Sequence, residues 1–210
     1  MATREGSGKM NRRTEMLRAA EKLMLSHGLS GVTTRQISQA VGCSDAAIYV
    51  HFKGRLELLL AMLEATLPEM LGPLETLPQR VGQGSAQANL AAALRGIYKF
   101  HRRVTPLAAG LFAEPALHAA YRASLARQDK GPHLSMKVLE DYIAAEQRLG
   151  RVAPRVEPKL AAYLLMASSF FCAFNEQFLG KPMSAAWNTL VKQLVAVVAP
   201  PRDSSTPGPL

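Results

Sequence analysis

An all-α fold follows from three features of the sequence. Apolar residues recur at three- and four-residue spacing in one segment after another. Most prolines and glycines fall between those segments, and Val, Ile and Thr never alternate with polar residues over a strand's length. With 210 residues the chain is long enough for one large domain, or for a small one joined to a larger one. Its net charge of +9 favours an anionic partner, nucleic acid or an acidic membrane surface, and charge alone does not choose between them. No apolar run reaches the roughly 18 residues of a membrane span. The longest candidate, 160–178, carries Ser168, Ser169, Asn175, Glu176 and Gln177 and reads as a buried or interfacial helix. Glu15, Arg18, Glu21 and Lys22 interrupt any signal-peptide core near the N-terminus. Cys43 and Cys172 lack metal-ligand spacing, so free thiols in the cytoplasm and no metal or other cofactor are expected.

Taken in order, residues 1–10 read as a disordered arm. From Asn11 to His27, Met16, Ala20, Leu23 and Met24 share a helical face, and Gly28 supplies the stop. Thr33 with Gln36 forms a capping box for a second helix, in which Ile37, Ala40 and Val41 share a face before Gly42 ends it. Ser44 is placed to cap a third helix of about two turns, with Ile48 and Phe52 on its inner side. A fourth, 55–67, ends at Pro68, and prolines and glycines up to Gly84 mark a loop. Further helices are expected at 86–104, 106–113, 115–128, 132–149, 158–179 and 184–198, several opening at proline, which suits a first helical position. The Pro- and Ser-rich tail, 200–210, is expected to be disordered.

The stretch GVTTRQISQAVGCSDAAIYVHFKGR, 31–55, concentrates the chemistry. Two short helices joined by a turn containing glycine, with Ile37, Val41 and Ile48 meeting across it, make a helix-turn-helix pattern. That packing turns Ser44, Asp45, Ala46, Ala47, Tyr49 and His51 partly outward on a helix narrow enough for the DNA major groove. Small Ala46 and Ala47 permit close approach to bases, and Asp45 can accept from a cytosine amino group. The basic residues of 1–55 outnumber its acids, as an electrostatic footprint for DNA requires.

These residues carry a resemblance to the DNA-binding domain of the TetR family of bacterial transcriptional regulators. It covers roughly Arg13 to Leu60 and includes the Gly28 break, Thr33-Thr34-Arg35, Val41-Gly42, and Tyr49, His51, Phe52 and Lys53. The sequence departs from the common pattern at Ser38, Cys43 and Leu56. The resemblance implies that Thr34 and Arg35 face one phosphate backbone, that Ser44, Tyr49, His51 and Lys53 bond phosphates, and that Asp45, Ala46 and Ala47 face bases. It further implies a homodimer on a double-stranded operator with inverted-repeat symmetry, acting as a repressor.

The expected organisation is therefore a DNA-binding domain over 11–55 and a ligand-binding and dimerisation domain over 56–199. In the latter, aromatic side chains with interspersed polar groups suggest a pocket for a mainly apolar small-molecule effector. Its candidate residues are Met62, Phe100, His101, Phe112, Glu114, His118, Tyr121, Tyr142, Phe170, Phe174 and Asn175. The dimer face is assigned to helices 158–179 and 184–198, packing as a four-helix bundle. An enzyme is disfavoured, because no nucleophile elbow, glycine-rich phosphate loop or metal-ligand pair is present. A DNA-binding architectural protein without an effector is the competing reading, and the large apolar remainder argues against it.

Overall fold

Capping chemistry sets most of the helix boundaries. A computed structural model describes residues 11–29, 31–66 and 72–201. The arm over 1–10, the tail from 202 onward and the stop at Pro68 lie outside the described residues. The described chain is helical, with no strand among those residues. Its helices are α1 Arg12–His27, α2 Thr34–Val41, α3 Asp45–His51, α4 Arg55–Thr66, α5 Gly72–Glu75, α6 Ala86–Phe112, α7 Pro115–Gln128, α8 Pro132–Arg148, α9 Pro158–Leu179 and α10 Ser184–Val198. The short α5 and a 3-10 turn at Pro78–Arg80 occupy the stretch expected to be plain loop.

The described residues divide into two compact units, 11–66 with 109–122 and 72–108 with 123–201. The division falls differently from the 55/56 boundary the sequence suggests, because α4 and the α6–α7 corner belong with the first unit. In that unit α1 packs on α2 and α4, and α2 packs on α3. Met16, Ala20, Met24, Leu29, Val32, Ile37, Ile48, Phe52, Leu58, Leu59 and Met62 are buried. Asn11 caps α1 by accepting from the Arg13 amide at 3.1 Å. For α2, the Thr33 amide donates to Gln36 Oε1 at 2.9 Å and the Gln36 amide donates to Thr33 Oγ1 at 3.2 Å. Gly42 ends α2 at φ 69°, a left-handed conformation costly for any residue with a Cβ. One expectation fails here: Ser44 occupies the cap position of α3, but its side chain makes no capping bond.

The second unit gathers residues of α6, α8, α9 and α10 around Leu90, Leu94, Ile97, Tyr98, Leu139, Tyr142, Ile143, Leu165, Trp187, Val191 and Val195. Trp187 is buried and stacks on Tyr98 at 5.1 Å between ring centroids. Its indole N–H finds no hydrogen-bond acceptor among the described residues. The Tyr98 hydroxyl donates to Glu176, which also pairs with Arg102 at 2.6 Å, so this cluster ties α6 to α9.

A second correction concerns Pro106, expected to separate two helices but found inside the continuous α6. Proline has no amide to offer the carbonyl four residues back, here that of Arg102. The Gln177 side-chain amide of α9 donates to that carbonyl at 3.3 Å instead. A side chain distant in sequence thus satisfies the group that proline orphans, and the helix continues.

Among the described residues, nothing covers one face of the last two helices. On α9, Leu160, Leu164, Ala167, Phe171, Phe174 and Phe178 are exposed at alternating four- and three-residue steps. On α10, Ala186, Leu190 and Val197 are exposed. That alternating four- and three-residue spacing is the kind by which one helix can pack along another.

Candidate nucleic-acid interface

The third helix holds its register through two buried anchors and presents what lies between them. Ile48 and Phe52 are buried, and the guanidinium of Arg13 lies 5.1 Å over the Phe52 ring, fixing the end of α3 against α1. Asp45, Ala46, Tyr49, Val50 and Lys53 are exposed, while Ala47 and His51 are half-buried. Tyr49 at 59% and Val50 at 80% exposure are large groups left facing solvent on so short a helix. The sequence reading singled out Tyr49 and missed Val50. The available signal was its place one turn after Ala46, which puts an apolar side chain in the outward row. An exposed valine there offers methyl groups for contact with thymine methyls.

At the start of α2, Arg35 is exposed and Thr34 half-buried, their backbone held by the Thr33–Gln36 capping box. Because the Ser44 hydroxyl does no capping, it stays available for another acceptor or donor. Lys53 follows α3, and its amide donates to Glu57 at 3.0 Å, which fixes the turn into α4. Asp45 is already engaged, since the Ser38 hydroxyl of α2 donates to its carboxylate. The structure thus brings Ser44, Asp45, Ala46, Ala47, Tyr49, His51 and Lys53 onto one short segment, with Thr34 and Arg35 on the adjoining helix.

The same unit contains an ion pair that sequence reasoning did not anticipate. Arg55 Nη1 and Nη2 reach Glu114 Oε2 and Oε1 at 2.9 and 2.7 Å. Arg55 also donates to the carbonyls of Val32 and Leu29, at 2.7 Å each. One guanidinium therefore ties the turn before α2 to the α6–α7 corner. The bond from Arg55 holds the Glu114 carboxyl below its usual range, and the bond to Glu114 raises Arg55. Gly110 completes the contact: a Cβ there would stand 2.8 Å from Leu29 Cβ, so only glycine admits this approach.

The expected effector residues fall into both units. In the first, Met62 is buried, Phe112 is exposed with His118 edge-on at 5.3 Å, and Tyr121 is half-buried, its phenol pushed up to about 12 by burial. Glu114 there is taken by Arg55. In the second, Phe100 and His101 are buried in α6, Asn175 is half-buried, and Phe170 and Phe174 are exposed on α9. Tyr142 packs in the core, accepts from the Asn89 amide at 3.0 Å and has its phenol pushed up to about 12 by burial. Phe170 meets the His101 ring edge-on at 5.6 Å. No group of three metal-ligating side chains, and no helix long and apolar enough to cross a membrane, occurs among the described residues.

His101 lies 3.0 Å from Ser169 Oγ through Nδ1, and burial pushes its imidazole down to about 4. An unfolded histidine titrates near pH 6.5. Unfolding therefore takes up a proton between those values, so stability is full above about pH 6.5 and falls as pH drops toward 4, by on the order of 3 kcal/mol. Denaturant midpoints measured across that range for the wild type and His101→Gln should diverge, the wild type losing more. Equal slopes would remove His101 as the source.

Residues 16–62 match the family model described as bacterial regulatory proteins, tetR family. A nucleoid occlusion factor, SlmA, of Vibrio vulnificus is 42% identical over 60 residues, 28% of this chain and 31% of that protein. The chain thus spans about a third of the length of that relative. The transcriptional repressor AcnR of Corynebacterium efficiens is 30% identical over 145 residues, 62% of this chain and 73% of the repressor. Among solved structures, SmeT, the repressor of a Stenotrophomonas maltophilia multidrug efflux pump, shares the fold. Its complex with triclosan superposes with a TM-score of 0.68 at 21% identity, over 96% of this chain and 99% of that one.

Proposed function

Because this chain belongs to the TetR family of bacterial transcriptional regulators, we propose that it is a repressor that binds an inverted-repeat operator as a homodimer and lets go when a small, mainly apolar molecule binds. The exposed face of α3 carries this reading. Small Ala46 and Ala47 with Val50 suit base edges, Asp45 suits an amino donor, and Ser44, Tyr49, His51 and Lys53 suit phosphates, with Thr34 and Arg35 of α2 beside them. Two such helices related by a twofold axis require two half-sites related by the same axis. The uncovered apolar row of α9, with Leu190 and Val197 of α10, supports a four-helix dimer contact.

Selection from a random duplex library, followed by footprinting, tests the proposal. One discrete inverted repeat is expected, with affinity falling steeply as salt rises. Lys53→Ala should weaken binding to all sequences alike, whereas Ala47→Ser should change preference at particular base pairs by roughly 1–3 kcal/mol. Equal shifts on selected and random duplexes from both variants would remove the base-facing assignment. Continuous protection along DNA would favour the architectural reading, which needs only the DNA-binding unit.

For the effector, the side chains in the second unit are Phe100, His101, Tyr142, Phe170 and Asn175, while Phe174 belongs to the α9 row given to the dimer contact, and neutral His101 is the polar group best suited to a weakly polar molecule. Met62, Phe112, His118 and Tyr121 are the candidates from the first. SmeT binds triclosan, an apolar phenol, which makes that compound the natural first probe. An effector must favour one dimer state by about 1–3 kcal/mol to change operator affinity 5- to 150-fold. Ligands that bind without altering operator release would end this part of the proposal.

A further inference from the structure

The sequence places a serine at position 38, in the middle of α2, where the side chain is buried and cannot itself reach DNA. Its hydroxyl stands 2.8 Å from the Arg35 carbonyl within its own helix and also against the Asp45 carboxylate of α3. A hydroxyl has one proton and can serve one of the two acceptors at a time. The bond to an ionised acceptor is the stronger. Asp45 is an exposed residue at the first position of α3, flanked by Ser44 and Ala46. An anion on a helix that approaches phosphates is repelled by them, so its orientation toward a base donor matters, and the bond from Ser38 restrains that orientation. A carboxylate offers about four lone-pair sites, so the bond from Ser38 leaves others for a base amino group.

We propose that Ser38 is a positioning residue for sequence readout: its hydroxyl fixes the Asp45 carboxylate in one rotamer, and that rotamer sets the discrimination of one base pair per half-site. The proposal rests on the reading of α3 as the DNA-contacting helix. Fixing the side chain before binding lowers the ordering cost of the base contact and excludes rotamers that would tolerate other bases. The cognate base presents an amino donor, cytosine N4 or adenine N6. Ser38→Ala removes only the hydroxyl, and Ser38→Thr keeps it.

The test uses the full chain and a duplex library randomised across the operator. Ser38→Ala should flatten preference at one base pair in each half-site by roughly five- to tenfold, leaving other positions and the affinity for random duplex within about twofold. Asp45→Ala should flatten the same base pair, and Ser38→Thr should restore it. An unchanged preference profile in Ser38→Ala, or one flattened at every position, overturns the proposal. A second measurement needs no DNA: the carboxyl carbon resonance of Asp45, assigned by its loss in Asp45→Ala, should move in Ser38→Ala and return in Ser38→Thr. If it stays put, the contact does not position Asp45 and the proposal falls whatever the library shows. If it moves while the wild type selects no sequence, the DNA reading fails and carries this inference with it.

Discussion

Phe171→Glu is expected to turn the proposed dimer into a monomer while leaving the folded chain intact. Phe171 sits in the exposed row of α9 and is 61% exposed within a single chain, so a carboxylate there meets water and disturbs no core. In a twofold contact the same substitution appears twice, and each copy would leave a charge buried without a partner. At roughly 3 kcal/mol or more per copy, dimer dissociation should rise by at least about four orders of magnitude. Sedimentation velocity at micromolar concentration reads this directly, and the far-ultraviolet helical signal should stay that of the wild type. Operator affinity should collapse in parallel, because a monomer engages one half-site only. A dimer that survives the change would move the subunit contact elsewhere.

Arg55→Ala should destabilise the first unit strongly. It removes two bonds to Glu114 and leaves the Leu29 and Val32 carbonyls without this donor, for an expected loss of about 2–4 kcal/mol. Glu114→Gln keeps the side chain's shape and the two carbonyl bonds while discarding the charge, so its cost should be smaller. The two variants should also separate stability from signalling. If the Arg55–Glu114 pair transmits effector binding to the turn before α2, Glu114→Gln should bind operator normally yet respond weakly to effector. Unchanged operator release in Glu114→Gln would leave the pair with a structural role only. Acid should mimic the variant: with the Glu114 carboxyl held below its usual range, the pair's stabilisation is full above the unfolded glutamate value, shrinks as pH falls below that value, and is gone once pH passes below the depressed folded value.

Most helix ends were legible because the chemistry that makes them is local. Gly28, the Thr33–Gln36 box, Gly42 and the prolines at 115, 132 and 158 act within a few residues of themselves. The failures have the opposite character. Pro106 reads as a break until Gln177, 75 residues beyond Arg102, is brought to the orphaned carbonyl. Glu114 reads as a spare carboxylate for a ligand until Arg55, 59 residues earlier, is seen to hold both its oxygens. For α3, spacing separated inner Ile48 and Phe52 from outer residues correctly. The attention given to polar side chains then concealed Val50, whose importance comes from its exposure. The Ser38–Asp45 bond crosses the turn between two helices, and no spacing rule reports it.

The buried pairing of Trp187 with Tyr98 makes the protein its own optical probe. Trp187 is the sole tryptophan in the sequence, and it lies wholly in the second unit. Its fluorescence should be blue-shifted relative to a hydrated indole and should report that unit alone, leaving α1 to α3 silent. Unfolding followed by emission and by circular dichroism would coincide only if both units melt together. A lag between the two curves would reveal which one melts first. An effector that rearranges α6 against α10 should change the emission even before operator release is measured, so a ligand screen needs no label.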